Sequence, residues 1–97
     1  MIVEDNFFAE AEPYPSTISL GEISERLTAA GFPCKVERFA DEARIIFQGR
    51  KSHLVLTLNP VGRPLTATMT EEADYDADFA CAVFDVFDSI GWTFAPN

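Results

Sequence analysis

Glycine, histidine and cysteine are scarce in this sequence, and each scarcity argues against a class of site. The chain has five glycines, one histidine and two cysteines. No glycine-rich phosphate loop, zinc-ligand spacing or Ser-His-Asp arrangement is present, and no second metal ligand is spaced with His53. Cys34 and Cys81 form no close pair, so we expect free thiols in a reducing compartment. We predict a protein that is not an enzyme and has no catalytic, cofactor or metal site.

Basic residues are missing from both ends of the chain. All seven lie between Arg26 and Arg63, whereas the sixteen acidic residues extend from end to end and give a net charge of −9. Such a chain repels nucleic-acid phosphates and anionic lipid, so we expect neither as a direct partner. No apolar run is long enough for a transmembrane helix, and the acidic start does not resemble a signal peptide. A cytoplasmic location is expected.

The most informative segment runs from Asp74 to Ile90 and predicts an amphipathic helix. At 100° per residue, one side collects apolar residues, with Phe84 at its edge. These are Phe79, Ala80, Val83, Val86, Phe87 and Ile90. The opposite side is acidic and collects Asp74, Asp78, Asp85 and Asp88. We expect the aromatic side to face the core and the aspartates to face solvent.

A first helix and four strands precede it. Ser19-Leu20-Gly21-Glu22 matches a capping box, and Gly31 is placed to end a helix that begins near residue 20. The apolar period then changes to two. The predicted strands are Cys34 to Phe39, Ala43 to Gln48, His53 to Leu58 and Leu65 to Thr70.

These elements predict an α+β fold, a single-domain two-layer sandwich in the order α-β-β-β-β-α. Short loops favour an antiparallel four-stranded sheet with both helices on one face. We predict that residues 19–97 form this single domain. Residues 1–18 are predicted to be an extended or mobile acidic lead, because Pro13 and Pro15 forbid a helix there. In that lead, Phe7 and Phe8 are too apolar for a purely solvated tail and could cover a sheet edge or a partner.

The predicted strands have one apolar face and one mixed face. The core face collects Ala43, Ile45, Phe47, Leu54, Leu56, Leu58, Leu65, Ala67 and Met69. The open face collects Arg44, Ile46, Gln48, His53, Val55, Thr57, Thr66, Thr68 and Thr70. Nothing in the sequence is left to cover the open face, which is either solvated or an interface. A basic patch of Arg44, Arg50, Lys51 and His53 could meet an anion, although solvated charges that protect an edge are favoured.

Three functional hypotheses follow. The leading one is a non-catalytic protein-binding module, such as an adaptor, chaperone-like factor or inhibitor. It would be dimeric or partner-bound through the open face. The second is an acidic decoy that mimics nucleic acid and binds a basic protein surface. Its residues would be Glu71, Glu72, Asp74, Asp78, Asp85 and Asp88. The third is a carboxylate-based divalent metal or catalytic site near residues 71–78.

No diagnostic motif assigns the chain to a family. The order of helix, antiparallel strands and acidic helix over about residues 19 to 94, in a small acidic chain, is broadly similar to the secretion-chaperone-like α+β class. That resemblance implies binding of an extended segment of another protein, on fold-level analogy alone.

Overall fold

The computed structural model describes residues 6–12, 14, 16–70 and 77–96 and shows an α+β fold. The sheet is antiparallel, with strand order β2-β3-β4-β5-β1-β6. The strands are β1 (Asn6–Glu10), β2 (Cys34–Arg38), β3 (Glu42–Phe47), β4 (His53–Leu58), β5 (Pro64–Thr70) and β6 (Ala95–Pro96). The helices are α1 (Leu20–Ala29) and α2 (Ala77–Asp88).

The fold class is confirmed, but the predicted count of four strands is wrong because the described residues form a sheet of six. The four predicted strands correspond to β2 to β5. The first addition, β1, comes from the acidic lead and pairs with β5, so that Phe7 faces Met69 and Phe8 faces Thr68. The second addition, β6, is two residues long and pairs with β1.

Both helices pack on the same face of this sheet. Leu20, Ile23 and Leu27 of α1 are buried in one cluster with the core face of the strands. The apolar side of α2 joins the same cluster, where the Phe79 and Phe47 rings meet edge to face at 5.0 Å. The predicted two-layer arrangement, with both helices on one face, is therefore confirmed.

Each helix ends in the same motif at a left-handed glycine. After α1, Gly31 has φ of 98°, and the Phe32 amide donates to the Leu27 carbonyl at 3.0 Å. After α2, Gly91 has φ of 92°, and the amide of the following tryptophan donates to the Phe87 carbonyl at 2.9 Å. These six-to-one bonds satisfy carbonyls that a helix end would leave open. At the other end of α1, the predicted cap is present, since the Ser19 hydroxyl oxygen accepts the Glu22 amide.

The prediction that Leu65 belongs to the core face needs correction. The β4–β5 register runs regularly to Thr57 opposite Thr66 and then shifts, so that Leu58 faces Pro64. Pro64 is therefore fully buried and Leu65 only half-buried. The carbonyls of Pro64 and Leu65 accept the amides of Ser16 and Ala11, at 3.0 and 2.9 Å. These two hydrogen bonds anchor the chain that follows β1 to the sheet.

Helix α2 occupies the middle of the predicted segment. It begins at Ala77, whereas the prediction began at Asp74, which lies outside the described residues. Phe79, Ala80, Val83 and Phe87 are buried, as the periodicity predicted. The Phe87 ring also lies 5.5 Å from the ring of Trp92, an apolar contact typical of this helix ending. Among the described residues, no helix is long and apolar enough to cross a membrane.

Candidate functional site: the open sheet face

The strand register brings the predicted open-face residues together in rows. One row runs from Ile46 through His53 to Thr70. The next runs from Arg44 through Val55 to Thr68. In the third row, Thr57 pairs with Thr66. Gln48 lies just beyond the end of β3, and its backbone amide donates to the Pro33 carbonyl at 2.9 Å. Eight of the nine predicted residues therefore share one strand surface, and the ninth borders it.

Three half-buried apolar side chains lie within this surface. Ile46 and Val55 belong to neighbouring strands, on adjacent rows. Phe8 of β1 extends the second row, because it pairs with Thr68, which in turn pairs with Val55. In the part of the chain that the structure describes, no helix packs against these residues, since both helices lie on the other face.

Phe8 also lies on the open face, although the sequence pattern did not assign it to that face. The pair Phe7-Phe8 indicates that one aromatic faces each side of a strand, but only the β1–β5 pairing shows where that strand lies. Phe7 turns to the core, where its ring lies 5.1 Å from the Phe84 ring. Phe8 consequently joins the open face.

Threonines surround the apolar residues, and two of their hydroxyl groups lie within hydrogen-bonding distance of each other. The hydroxyls of Thr57 and Thr66 lie 2.6 Å apart across the strands, within hydrogen-bonding distance. Thr66, Thr68 and Thr70 are half-buried, whereas Thr57 is exposed. Threonine pairs of this kind stabilise a sheet and still tolerate burial by a partner.

Charged residues form one margin of the face. Lys35 and Glu37 of β2 pair with Ile46 and Arg44, which places them on the open side as additional members of the face. The Arg44 guanidinium lies 5.6 Å from the centre of the Phe39 ring, and Phe39 is 50% exposed. The face therefore has an apolar and threonine-rich centre with a charged margin, an arrangement typical of protein interfaces.

A groove of about 620 Å³ opens where β2, β3 and the β3–β4 turn meet. Lys35, Ile46 and Gln48 line it on the open-face side, and Arg50 and Lys51 line it from the turn. The groove is thus continuous with the open face through Ile46.

The predicted basic patch is not assembled as a unit. Arg44 lies on the open face over Phe39, whereas the Arg50 guanidinium lies 4.3 Å from the centre of the Phe79 ring, on the helix-bearing side. The two arginines therefore occupy different faces of the sheet. Cation–π contacts with Phe39 and Phe79 help to hold the two guanidinium groups at these separate positions.

Only some of the acidic residues proposed for the decoy function fall among the residues that the structure describes. Asp78, Asp85 and Asp88 are exposed on α2, and their spacing places them within one side of the helix. Glu71, Glu72 and Asp74 fall among the residues that the structure does not describe, as does most of the segment proposed for a metal or catalytic site. Within the described ranges, no three His, Cys, Asp or Glu side chains are grouped so that they could hold a metal ion.

Both thiols are free. Cys34 is half-buried, with its sulfur 3.5 Å from the Ser24 hydroxyl oxygen, and Cys81 is exposed on α2. Neither thiol lies on the open sheet face, because Cys34 pairs with the core residue Phe47 and Cys81 belongs to the helix layer.

No protein-family model, no curated protein and no solved structure matches this chain.

Proposed function

We propose that this protein is a non-catalytic protein-binding module that binds its partner through the open sheet face. The observation that supports the proposal is the position of Phe8, Ile46 and Val55. They are half-buried apolar side chains in the interior of a sheet surface that no described helix covers. Burial by a partner would remove this apolar area from water, which is the main source of favourable free energy in protein association.

The composition of the face favours another protein over a small molecule. A small-molecule site is concave and encloses most of its ligand, whereas this surface is a sheet face with a groove at its end. The hydroxyls of Thr57 and Thr66 lie within hydrogen-bonding distance of each other, which lowers the cost of burying these polar groups in an interface. The groove beside Ile46 offers a place for one apolar side chain of the partner. An adaptor, a chaperone-like factor or an inhibitor in the cytoplasm fits this surface.

Affinity capture with three baits tests the proposal. The wild-type protein, Val55→Lys and Ala29→Lys are immobilised at equal density, and the captured proteins are quantified by mass spectrometry. Ala29→Lys adds the same charge at an exposed position of α1, away from the open face. Introducing a charge at the centre of an interface weakens binding by at least about tenfold, so Val55→Lys should lose the specific partner while Ala29→Lys retains it. Equal capture by all three baits would contradict the proposal.

A second candidate function is supported by the exposed aspartates of α2. Asp78, Asp85 and Asp88 present negative charge on one side of a helix that has no basic residue in its last turn. An acidic decoy of this kind would bind a basic protein surface with strong salt dependence. Replacing the three aspartates by asparagine should then abolish capture and leave the Val55→Lys bait active. Capture that is unchanged by both the substitutions and added salt would exclude this function.

A further inference from the structure

The two edges of the sheet differ in how well they are protected against further pairing. The β6 edge is two residues long and contains Pro96, and short strands and prolines both discourage pairing. The β2 edge has five residues without proline, and its register with β3 is regular. Among the described strands, β3 is the only one that pairs with β2. With respect to the described residues, the β2 edge is therefore available for pairing with a further strand.

The ladder shows which backbone groups of β2 point away from the sheet. The Gln48 amide donates to the Pro33 carbonyl at 2.9 Å, and the Phe39 amide donates to the Glu42 carbonyl at 2.7 Å. Hydrogen-bonded residues alternate along an antiparallel strand, so Lys35 and Glu37 also direct their backbone groups to β3. The N–H and C=O groups of Cys34, Val36 and Arg38 consequently point outward.

The side chains of β2 are self-complementary when two copies of the strand run antiparallel. Lys35 and Glu37 flank Val36 at equal distance and lie on the open face. Pairing Val36 with Val36 of a second copy places each Lys35 opposite a Glu37. A slip of two residues, the next register that keeps the outward backbone groups opposite each other, would place Lys35 opposite Lys35 in one direction and Glu37 opposite Glu37 in the other. Like charges directly opposite each other destabilise a sheet, so the charges select one register.

We propose that two copies of this chain pair through their β2 edges, antiparallel and centred on Val36, to form one continuous sheet. In this register the outward groups of Cys34, Val36 and Arg38 are the ones that meet across the edge. Lys35 and Glu37 then form the non-hydrogen-bonded pairs, in which opposing side chains approach most closely. The interface is isologous, as expected for a two-fold dimer.

The side chain of Val36 also favours a second copy. It is half-buried and packs against the hydrophobic core from the edge strand. In the dimer the Val36 side chains of the two copies contact each other, so the two hydrophobic cores become adjacent. The contact of β2 with α1 through the Cys34 sulfur lies on that same core side and leaves the backbone edge open. The open faces of the two copies become one surface, so the dimer leaves the face of the proposed function uncovered and does not depend on it.

Charge-reversal variants test the register directly. Sedimentation equilibrium over a wide concentration range measures the dimer dissociation constant of the wild type, Lys35→Glu and Glu37→Lys. Each single variant replaces two opposite-charge pairs by two like-charge pairs, so the dissociation constant should rise by about tenfold or more. The double variant Lys35→Glu/Glu37→Lys restores both pairs and should return to the wild-type value.

An equimolar mixture of the two single variants is the sharpest test. Lys35→Glu and Glu37→Lys chains are complementary to each other at both positions, so native mass spectrometry should show a heterodimer in excess of either homodimer. Circular dichroism verifies that each variant is folded. A wild type that stays monomeric at every concentration overturns the proposal, as does a dimer that the charge variants do not affect.

Two further variants separate this proposal from the proposed function. Val36→Pro removes an outward amide and should abolish the dimer while partner capture through the open face is retained. Val55→Lys should abolish capture and leave the dissociation constant unchanged. A dimer lost in Val55→Lys and retained in Val36→Pro would show that the copies associate through the open face, which overturns the edge-pairing proposal.

Discussion

Substitution of Gly91 by alanine tests whether the chain after β1 is an integral part of the fold. Gly91 has φ of 92°, and a Cβ built there would lie 2.9 Å from the Glu12 carbonyl oxygen. Gly31 offers a matched control, because it has φ of 98° and its Cβ would meet nothing within 4 Å. The two substitutions share the backbone cost and differ in the close approach to Glu12.

The expected magnitudes follow from these two contributions. A left-handed backbone costs a residue with a Cβ about 1–2 kcal/mol. The overlap with the Glu12 carbonyl adds about 1–3 kcal/mol, the usual cost of forcing atoms into a packed site. Gly91→Ala should therefore lower the free energy of unfolding by about 3 kcal/mol and Gly31→Ala by about half of that. For a domain of this size, the difference between the variants corresponds to a melting temperature lower by about 6–12 °C.

Urea denaturation followed by circular dichroism measures both values, with equal m-values as the check that the unfolding transition is comparable. If Gly91→Ala and Gly31→Ala destabilise the protein equally, the backbone at Glu12 does not pack against the end of α2. The inclusion of the lead in the fold would then be refuted at this contact.

Three further predictions concern the N-terminal cap of α1, the Thr57–Thr66 hydroxyl contact, and the position of Phe7 and Phe8 on opposite faces of β1. Ser19→Ala removes the acceptor of the Glu22 amide and should lower the free energy of unfolding by about 0.5–2 kcal/mol, measured by the same denaturation. A double-mutant cycle with Thr57→Val and Thr66→Val should show a coupling of about 0.2–1 kcal/mol, and a coupling of zero would mean that the 2.6 Å hydroxyl contact contributes nothing. Phe7→Ala should cost about 2–4 kcal/mol because its ring packs on α2. Phe8→Ala should cost less than half as much, and equal thermal shifts for the two would argue against their assignment to opposite faces.

The elements that the sequence predicted are those with a local signal. Alternating burial along β3 and β4 follows the apolar period of two, and the helix cap at Ser19 is encoded within four residues. The aromatic side of α2 was likewise visible from its spacing. Each of these depends on neighbours in the chain, and each is present in the structure.

The parts that were missed depend on distant contacts. Strand β1 is five residues long, and its partner β5 lies about sixty positions later, so no local pattern indicates the pairing. Strand β6 is too short for any period. The shift at Leu58 and Pro64 does have a local signal, because proline cannot donate to a ladder, and the strand assignment beginning at Leu65 did not use it.

The residues of the open sheet face also divide into those that a local pattern predicted and those that only distant strand pairing places there. Alternation alone placed Ile46 and Val55 on the open face, since it requires no knowledge of strand order. Only the β1–β5 register shows that Phe8 lies on the same face, and only the β2–β3 register shows this for Lys35 and Glu37. The face is consequently wider, more aromatic and more charged at its margin than the sequence indicated.

Amide chemical-shift mapping of the isotopically labelled protein, titrated with its captured partner, tests the central claim most directly. If the partner binds the open face, the largest shifts should fall in β3, β4 and β5 around Val55, with smaller ones at Phe8, and Val55→Lys should abolish them. Shifts confined to α2 around Asp85, or unchanged by Val55→Lys, would contradict the claim that the open sheet face is the binding surface.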